Sequence, residues 1–265
     1  MHFEKAGFGD PVVLIHGLGA SSFSWRDTAA ALSKKYTTYN VDLLGFGKSA
    51  APAGFAYTAK VQADEVAKFI TAHKLSNPAI IGHSMGGGIC LYLADQAARG
   101  AIPSLGKMVL VAPVASPPRT SPPSGPIAEL ATMIKLPGFD PAPFSRQLAE
   151  LVLRRAYKPP PPPVFPTAQI DGYADGLSSV DQMRAFITHS DSLDEISFAD
   201  STLKGINTKT LVIWGEDDPF LSFTLAEPLK DALGDASLKP VKNCGHIPHE
   251  EQPKETNKLI EDFLK

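Results

Sequence analysis

Cysteine is scarce: Cys90 and Cys244 are the two in 265 residues. Two thiols cannot staple a chain of this size, so a disulfide scaffold is excluded and reducing surroundings are expected. Long apolar runs are missing too. No stretch approaches the roughly 18 apolar residues of a membrane-spanning helix. The start, Met-His-Phe-Glu-Lys, lacks the basic segment and apolar core of a secretory leader. The expected location is the cytoplasm, with no membrane partner. Positive charge is not in excess: 25 Lys and Arg face 28 Asp and Glu, a net charge of −3. That leaves no electrostatic footprint for nucleic acid. No Cys/His spacing suggests zinc, so neither a metal nor a cofactor is implied. Hydrophobic residues at 43% and charged residues at 20% exclude a disordered, collagen-like or coiled-coil chain.

Proline, by contrast, is abundant. Its 24 copies are about twice the usual share of ~5%. Fifteen fall between Pro113 and Pro166, including the unbroken run Pro159 to Pro163. Such a run favours polyproline II and cannot enter a helix interior or a central strand. The chain on either side reads differently, alternating short apolar runs with helical patterns, the signature of a parallel α/β sheet. Residues 1–113 and 206–265 are therefore expected to form one core domain. Residues 114–205 are expected to be an insertion, since a linker of that length is improbable.

The expected strands are Val12–Ile15, Thr38–Asp42, Ala79–Gly82, Lys107–Ala112, Thr210–Trp214 and Ser237–Val241, with a short edge strand near Met1–Lys5. Several are continuous apolar runs, as strands covered on both faces should be. Helices are expected at Ser22–Ser33, Thr58–His73, Met85–Arg99, Ser222–Leu233 and Pro253–Leu264, and within the insertion at Ser145–Tyr157 and Ser179–His189.

The strongest chemical signal is Gly82-His83-Ser84-Met85-Gly86, between an apolar run and a helical segment. A G-x-S-x-G in a strand–turn–helix setting is a nucleophile elbow. The tight turn lifts the serine hydroxyl clear of the backbone, and the flanking glycines leave room where a Cβ would clash. The following helix offers free N–H groups to a developing oxyanion. A serine needs a base, and the base an orienting acid. Both follow in chain order after later strands. The first turn is Gly215-Glu216-Asp217-Asp218-Pro219, and the second is Gly245-His246-Ile247-Pro248-His249. Three adjacent carboxylates and two nearby histidines leave the choice open on spacing alone.

These motifs resemble those of α/β-hydrolase fold enzymes of the capped carboxylesterase type. His16-Gly17-Leu18-Gly19 is similar to the family's oxyanion loop, and Asp42-Leu43-Leu44-Gly45-Phe46-Gly47-Lys48-Ser49 to its D-x-x-G-x-G-x-S turn. Gly82 to Gly86 matches the elbow. Gly245-His246-Ile247-Pro248, with Glu251 and Pro253 behind it, matches the histidine loop. The resemblance implies a mostly parallel central sheet flanked by helices, with a helical, proline-rich cap inserted after the sixth strand. It makes Ser84 the nucleophile, His246 the base and Asp218 the acid, three residues after Gly215. It makes the backbone N–H groups of Leu18 and Met85 the oxyanion donors. His16 is expected to brace the first loop, and His83 to be a packing residue.

Two competing motif readings fail. Gly47-Lys48-Ser49 ends like a P-loop, but the first required glycine falls at Asp42. Gly17-Leu18-Gly19 hints at a dinucleotide site, but the third glycine position is Ser22. The expected substrate is a small-molecule ester in an apolar pocket. Phe220 and Ile247, beside the site residues, are expected to line it, with Met133, Phe139 and Phe144 from the insertion. Ile127, Leu130, Ile134, Leu136 and Phe165 are further candidates. The same apparatus also serves carbon–carbon bond hydrolases, lactonases, perhydrolases and receptors that keep the triad.

Overall fold

The computed structural model describes residues 1–115, 126–136 and 138–265, and among these all side chains but those of residues 126–128 and 131. Among the described residues, seven strands form one sheet. They are β1 (His2–Gly7), β2 (Pro11–Ile15), β3 (Thr37–Asp42), β4 (Ala79–His83), β5 (Met108–Val111), β6 (Thr210–Gly215) and β7 (Ala236–Val241). Their order is β1-β3-β2-β4-β5-β6-β7. Only β1 runs antiparallel, pairing His2 with Asp42; the other neighbours are parallel. This is the mostly parallel α/β sheet expected.

Strands β2, β4, β5 and β6 feed two cores because alternate side chains leave a strand on opposite faces. Val13 and Ile15 of β2, Ile80 of β4, Met108 and Leu110 of β5, and Val212 and Trp214 of β6 join one apolar cluster. Val12 and Leu14, Ile81, Val109 and Val111, and Leu211 and Ile213 join another on the opposite face. Burying one such side chain contributes about 1.5–3 kcal/mol. The first cluster is closed by α2 (Ala59–Ala72) and α3 (Met85–Ala98), the second by α1 (Arg26–Leu32) and by α11 (Pro253–Leu264), which follows the single turn α10 (Pro248–Glu251). In α11, Ile260 and Leu264 stand four apart and face the sheet together.

The expected helix Ser22–Ser33 is a 3-10 turn, Ser22–Trp25, running into α1. Ser222–Leu233 likewise divides into a 3-10 turn at Phe223–Leu225 and α9 (Ala226–Ala232). The expected strand Lys107–Ala112 stops at Val111 because Ala112 turns to φ +42°. The segment expected to be an insertion lies between β5, the fifth strand, and β6. A place after the sixth strand was expected, but a single strand precedes β2 in this chain.

Within the insertion lie α4 (Pro126–Met133), α5 (Ala142–Ala156), α6 (Thr167–Ala174), α7 (Val180–Ser192) and α8 (Asp200–Gly205). Ser179 and Gln182 close a capping box at the start of α7. The proline run Pro159–Pro163 ties α5 to α6, and the Arg154 guanidinium donates to the carbonyls of Pro162 and Pro163. Met183, Phe186 and Ile187 of α7 pack into the first sheet cluster. Ala149 and Leu153 of α5 pack with Ala20 and Ile247, from loops at the carboxyl ends of strands. The insertion thus rests on the end of the sheet where the motifs converge. Among the described residues no helix is long and apolar enough to cross a membrane.

Candidate active site

Strand β4 ends at His83 and α3 begins at Met85, so Ser84 occupies the bend between them at φ +53°, ψ −118°. A non-glycine residue held there costs about 1–3 kcal/mol. The bend is held from several sides. The Ser84 N–H donates to Val111 O at 2.9 Å, and the Ser84 carbonyl accepts from the amides of Gly87, Gly88 and Val114. A Cβ on Gly86 would lie 2.6 Å from His16 O, so glycine is required for α3 to start this close to the first loop.

His246 Nε2 lies 3.0 Å from Ser84 Oγ, and His246 Nδ1 lies 2.8 Å from Asp218 Oδ2. The other Asp218 oxygen accepts from the amides of Phe220 and Leu221 at 2.8 and 2.9 Å. Both side chains are almost wholly buried. Asp218, not its neighbours, therefore faces the histidine. Glu216 and Asp217 are exposed, and Asp217 faces Lys158 at 3.4 Å. His249 does not reach the serine. It is buried and stacked on Trp25 with ring centroids 4.2 Å apart. An aligned carboxylate–imidazole–hydroxyl chain of this kind can move a proton off the serine and return it to a leaving group.

The first loop sits against the elbow. A Cβ on Gly17 would come within 2.8 Å of His83 Nδ1 and 3.1 Å of Ser84 Cβ. Among the described residues neither the Leu18 nor the Met85 N–H meets a protein acceptor, and Met85 is the first residue of its helix. His16 braces this loop as expected. Its Nδ1 donates to Gly17 O at 2.8 Å while its Nε2 accepts from the Leu43 amide at 3.0 Å. Burial keeps its pKa below the ordinary histidine value. Asp42 anchors the adjoining turn through the amides of Ser22 and Lys48 and the imidazole of His2. Burial pushes its carboxyl up, but nearby His16 and these amides outweigh that, and its pKa is lowered.

Phe220 lies edge-on over the His246 ring at 5.2 Å and is 46% exposed. Ile247 is buried between α5 and Ala20. Phe139 and Phe144 stack on each other at 5.3 Å and join the edge of the first cluster, as does Leu18. Met133 is half-buried and stands outside that cluster. Leu136, expected to line a pocket, is 59% exposed, because the turn after α4 points it to solvent. Phe165 packs against Tyr157 in the cluster that α5 shares with Ala20 and Ile247. Ile127 and the stretch from Ser116 to 125 lie outside what the structure describes at side-chain level. Cys244 is a buried thiol whose pKa burial raises, which makes it inert.

Sequence reasoning passed over three contacts. Phe186 of α7 lies where a Cβ on Gly19 would meet it at 2.9 Å, directly over the first loop. Glu250, buried, takes hydrogen bonds from Arg26, Gln169 and Tyr173, tying α6 to α1. His83 reaches the His246 carbonyl at 2.9 Å. None follows a fixed spacing in the chain, so only the histidines and the acid themselves could have drawn attention.

The sequence model of the alpha/beta hydrolase family matches residues 12–259. The chain belongs to that family. As an alpha/beta hydrolase it is 27% identical over 280 residues to the 2-hydroxymuconate semialdehyde hydrolase of Pseudomonas sp. (strain CF600), covering all of this chain and 89% of the relative. It is 26% identical over 271 residues to the 2-hydroxy-6-oxo-6-phenylhexa-2,4-dienoate hydrolase of Comamonas testosteroni, covering all of this chain and 91% of that one. A serine hydrolase involved in carbazole degradation shares the fold at a TM-score of 0.81 and 23% identity, covering 99% of this chain and 93% of that one. An esterase from Exiguobacterium antarcticum does so at 0.76 and 22%, covering 100% and 95%.

Proposed function

We propose that this alpha/beta hydrolase cleaves carboxylic esters through an acyl-enzyme on Ser84. His246 takes the Ser84 proton as Oγ attacks the acyl carbon. The N–H groups of Leu18 and Met85 receive the oxyanion, a contribution that is commonly worth 100- to 1000-fold per donor. His246 then passes the proton to the departing alcohol. Water, activated by the same imidazole, releases the acid. Asp218 holds the histidine tautomer and stabilises its cation. The observation that carries this reading is the unbroken run of contacts from Asp218 through His246 to Ser84.

Residues 114–205 act in this reading as a cap on the core formed by 1–113 and 206–265. Phe186 over the first loop and Ile247 against α5 support that role. The apolar neighbour Phe220, over the His246 ring, favours an uncharged acyl group. A cytoplasmic setting goes with the two unpaired, buried thiols.

A second reading has a specific observation behind it. Two relatives aligned along the whole chain bear the names of a semialdehyde hydrolase and a phenylhexadienoate hydrolase. The same serine would then attack the ketone of a ring-cleavage product and break a carbon–carbon bond. A panel of p-nitrophenyl esters, lactones and a ring-cleavage diketone, ranked by kcat/KM, separates the two. Ser84→Ala should abolish turnover of whichever substrate leads. Near-native rates in that variant would end both readings, and slow single-turnover hydrolysis would indicate a receptor.

A further inference from the structure

The hydrogen bond from His83 to His246 joins two stretches 163 residues apart, the elbow and the histidine loop. A carbonyl only accepts, so His83 Nε2 carries the proton and Nδ1 the lone pair. Nδ1 faces the first loop near Gly17 and has no protein hydrogen-bond partner among the described residues. The His83 ring is 5% exposed and lies 4.9 Å from that of His246 and 4.7 Å from that of His249. Burial among these histidines keeps His83 neutral, so it remains a donor and adds no charge against an imidazolium at His246.

The amide side of the same residue is held from the insertion. The His246 N–H donates to Ala156 O at 2.7 Å, and the amides of Gly245 and Ile247 both donate to Glu251. The carbonyl side is held from the core by His83. We propose that His83 is a positioning residue for the base: it fixes the His246 backbone so that Nε2 stays within hydrogen-bond reach of Ser84 Oγ. This inference rests on the reading of Ser84 and His246 as nucleophile and base. It assigns a role to the residue directly before the nucleophile, which spacing alone marks as filler.

Reach distinguishes this role from space-filling. The glutamine amide nitrogen reaches about as far as imidazole Nε2, whereas that of asparagine stops near Nδ1. His83→Gln and His83→Asn are therefore both neutral and polar, but only the first can meet the His246 carbonyl. Active sites are titrated with a serine-directed fluorophosphonate, and kcat and KM for p-nitrophenyl butyrate are expressed per titrated site. A misplacement of about an ångström commonly costs up to ~100-fold, so His83→Asn should lose roughly 10- to 100-fold in kcat with KM within about twofold, and phosphonylation of Ser84 should slow in parallel. His83→Gln should stay within roughly threefold of the parent, since the donor is kept.

A residue that only fills space would lower the melting temperature and the titratable fraction, and leave kcat per site unchanged. That result in His83→Asn, or equal losses in the two variants, overturns the proposal. Should His83→Asn fail to fold, His83→Met, unbranched and without a donor, takes its place against His83→Gln under the same criteria. Failure of the underlying reading shows separately: the parent enzyme would not titrate with the phosphonate, or Ser84→Ala would keep its activity.

Discussion

The backbone N–H of Lys158 donates to the Glu251 carboxylate at 2.9 Å, and the same carboxylate takes the amides of Gly245 and Ile247 on either side of His246. One side chain therefore couples the end of α5 to the loop bearing His246. Glu251→Gln keeps the volume but offers one acceptor oxygen instead of two. At least one amide is left unpaired, at about 1–3 kcal/mol. The urea midpoint should fall, and kcat should fall more than KM rises. An unchanged midpoint would show that water replaces the carboxylate without loss.

Much of this arrangement is legible in the chain, and the reason differs by region. The inner strands announce themselves because both faces are buried, so β4 reads Ala-Ile-Ile-Gly without a polar interruption. Ser84, Asp218 and His246 stand in turns whose glycines and order are fixed by backbone geometry. Helices α4, α6 and α8 were not foreseen, because they are eight residues or fewer and their apolar positions answer to tertiary packing, not to a period of their own. The clamps at His83, Glu250 and Glu251 escape notice for a related reason. Their partners lie on other elements, and nothing local marks the pairing. Only the fold brings Gln169 and Tyr173 to Glu250.

Two neighbouring aspartates should part company on substitution. Asp218→Asn keeps the shape but no longer stabilises the His246 cation, and the amide can favour the wrong imidazole tautomer. A loss of about 10³- to 10⁴-fold in kcat is expected for such a change. Asp217 forms a half-exposed pair with Lys158, and exposed pairs contribute roughly 0–1 kcal/mol, so Asp217→Asn should change kcat by less than about twofold. Steady-state rates on one p-nitrophenyl ester suffice. Comparable losses at both positions would contradict the assignment of the acid.

Gly17→Ala tests the first loop while leaving Ser84, Asp218 and His246 unsubstituted. The added methyl would approach His83 Nδ1 to 2.8 Å and Ser84 Cβ to 3.1 Å, so the loop must retreat. The Leu18 N–H moves with it. Partial loss of one oxyanion donor should lower kcat by roughly 10- to 100-fold. The rate of serine phosphonylation should drop alongside, while urea unfolding shifts little. Wild-type kcat in this variant would remove Leu18 from the oxyanion site.

His249 supplies the pH prediction. It is 1% exposed, stacked on Trp25, and neither ring nitrogen meets a protein partner among the described residues. Burial, with Arg26 and His246 nearby, lowers its pKa to about 3. In the unfolded chain an ordinary histidine titrates near ~6.5. Between those values the unfolded state binds the proton and the folded state does not, so stability rises with pH. The stabilisation is complete above about pH 6.5 and is lost as acid is added, at about 1.4 kcal/mol per pH unit for this one group. His16, His83 and His189 are lowered in the same direction, which steepens the decline of the parent protein. His249→Phe keeps a ring against Trp25 and removes the titration. Its loss of stability between pH 7 and pH 5 should be smaller than that of the parent by about 2 kcal/mol. Urea unfolding at the two pH values measures the difference, and parallel declines would show that His249 takes up a proton within the folded state.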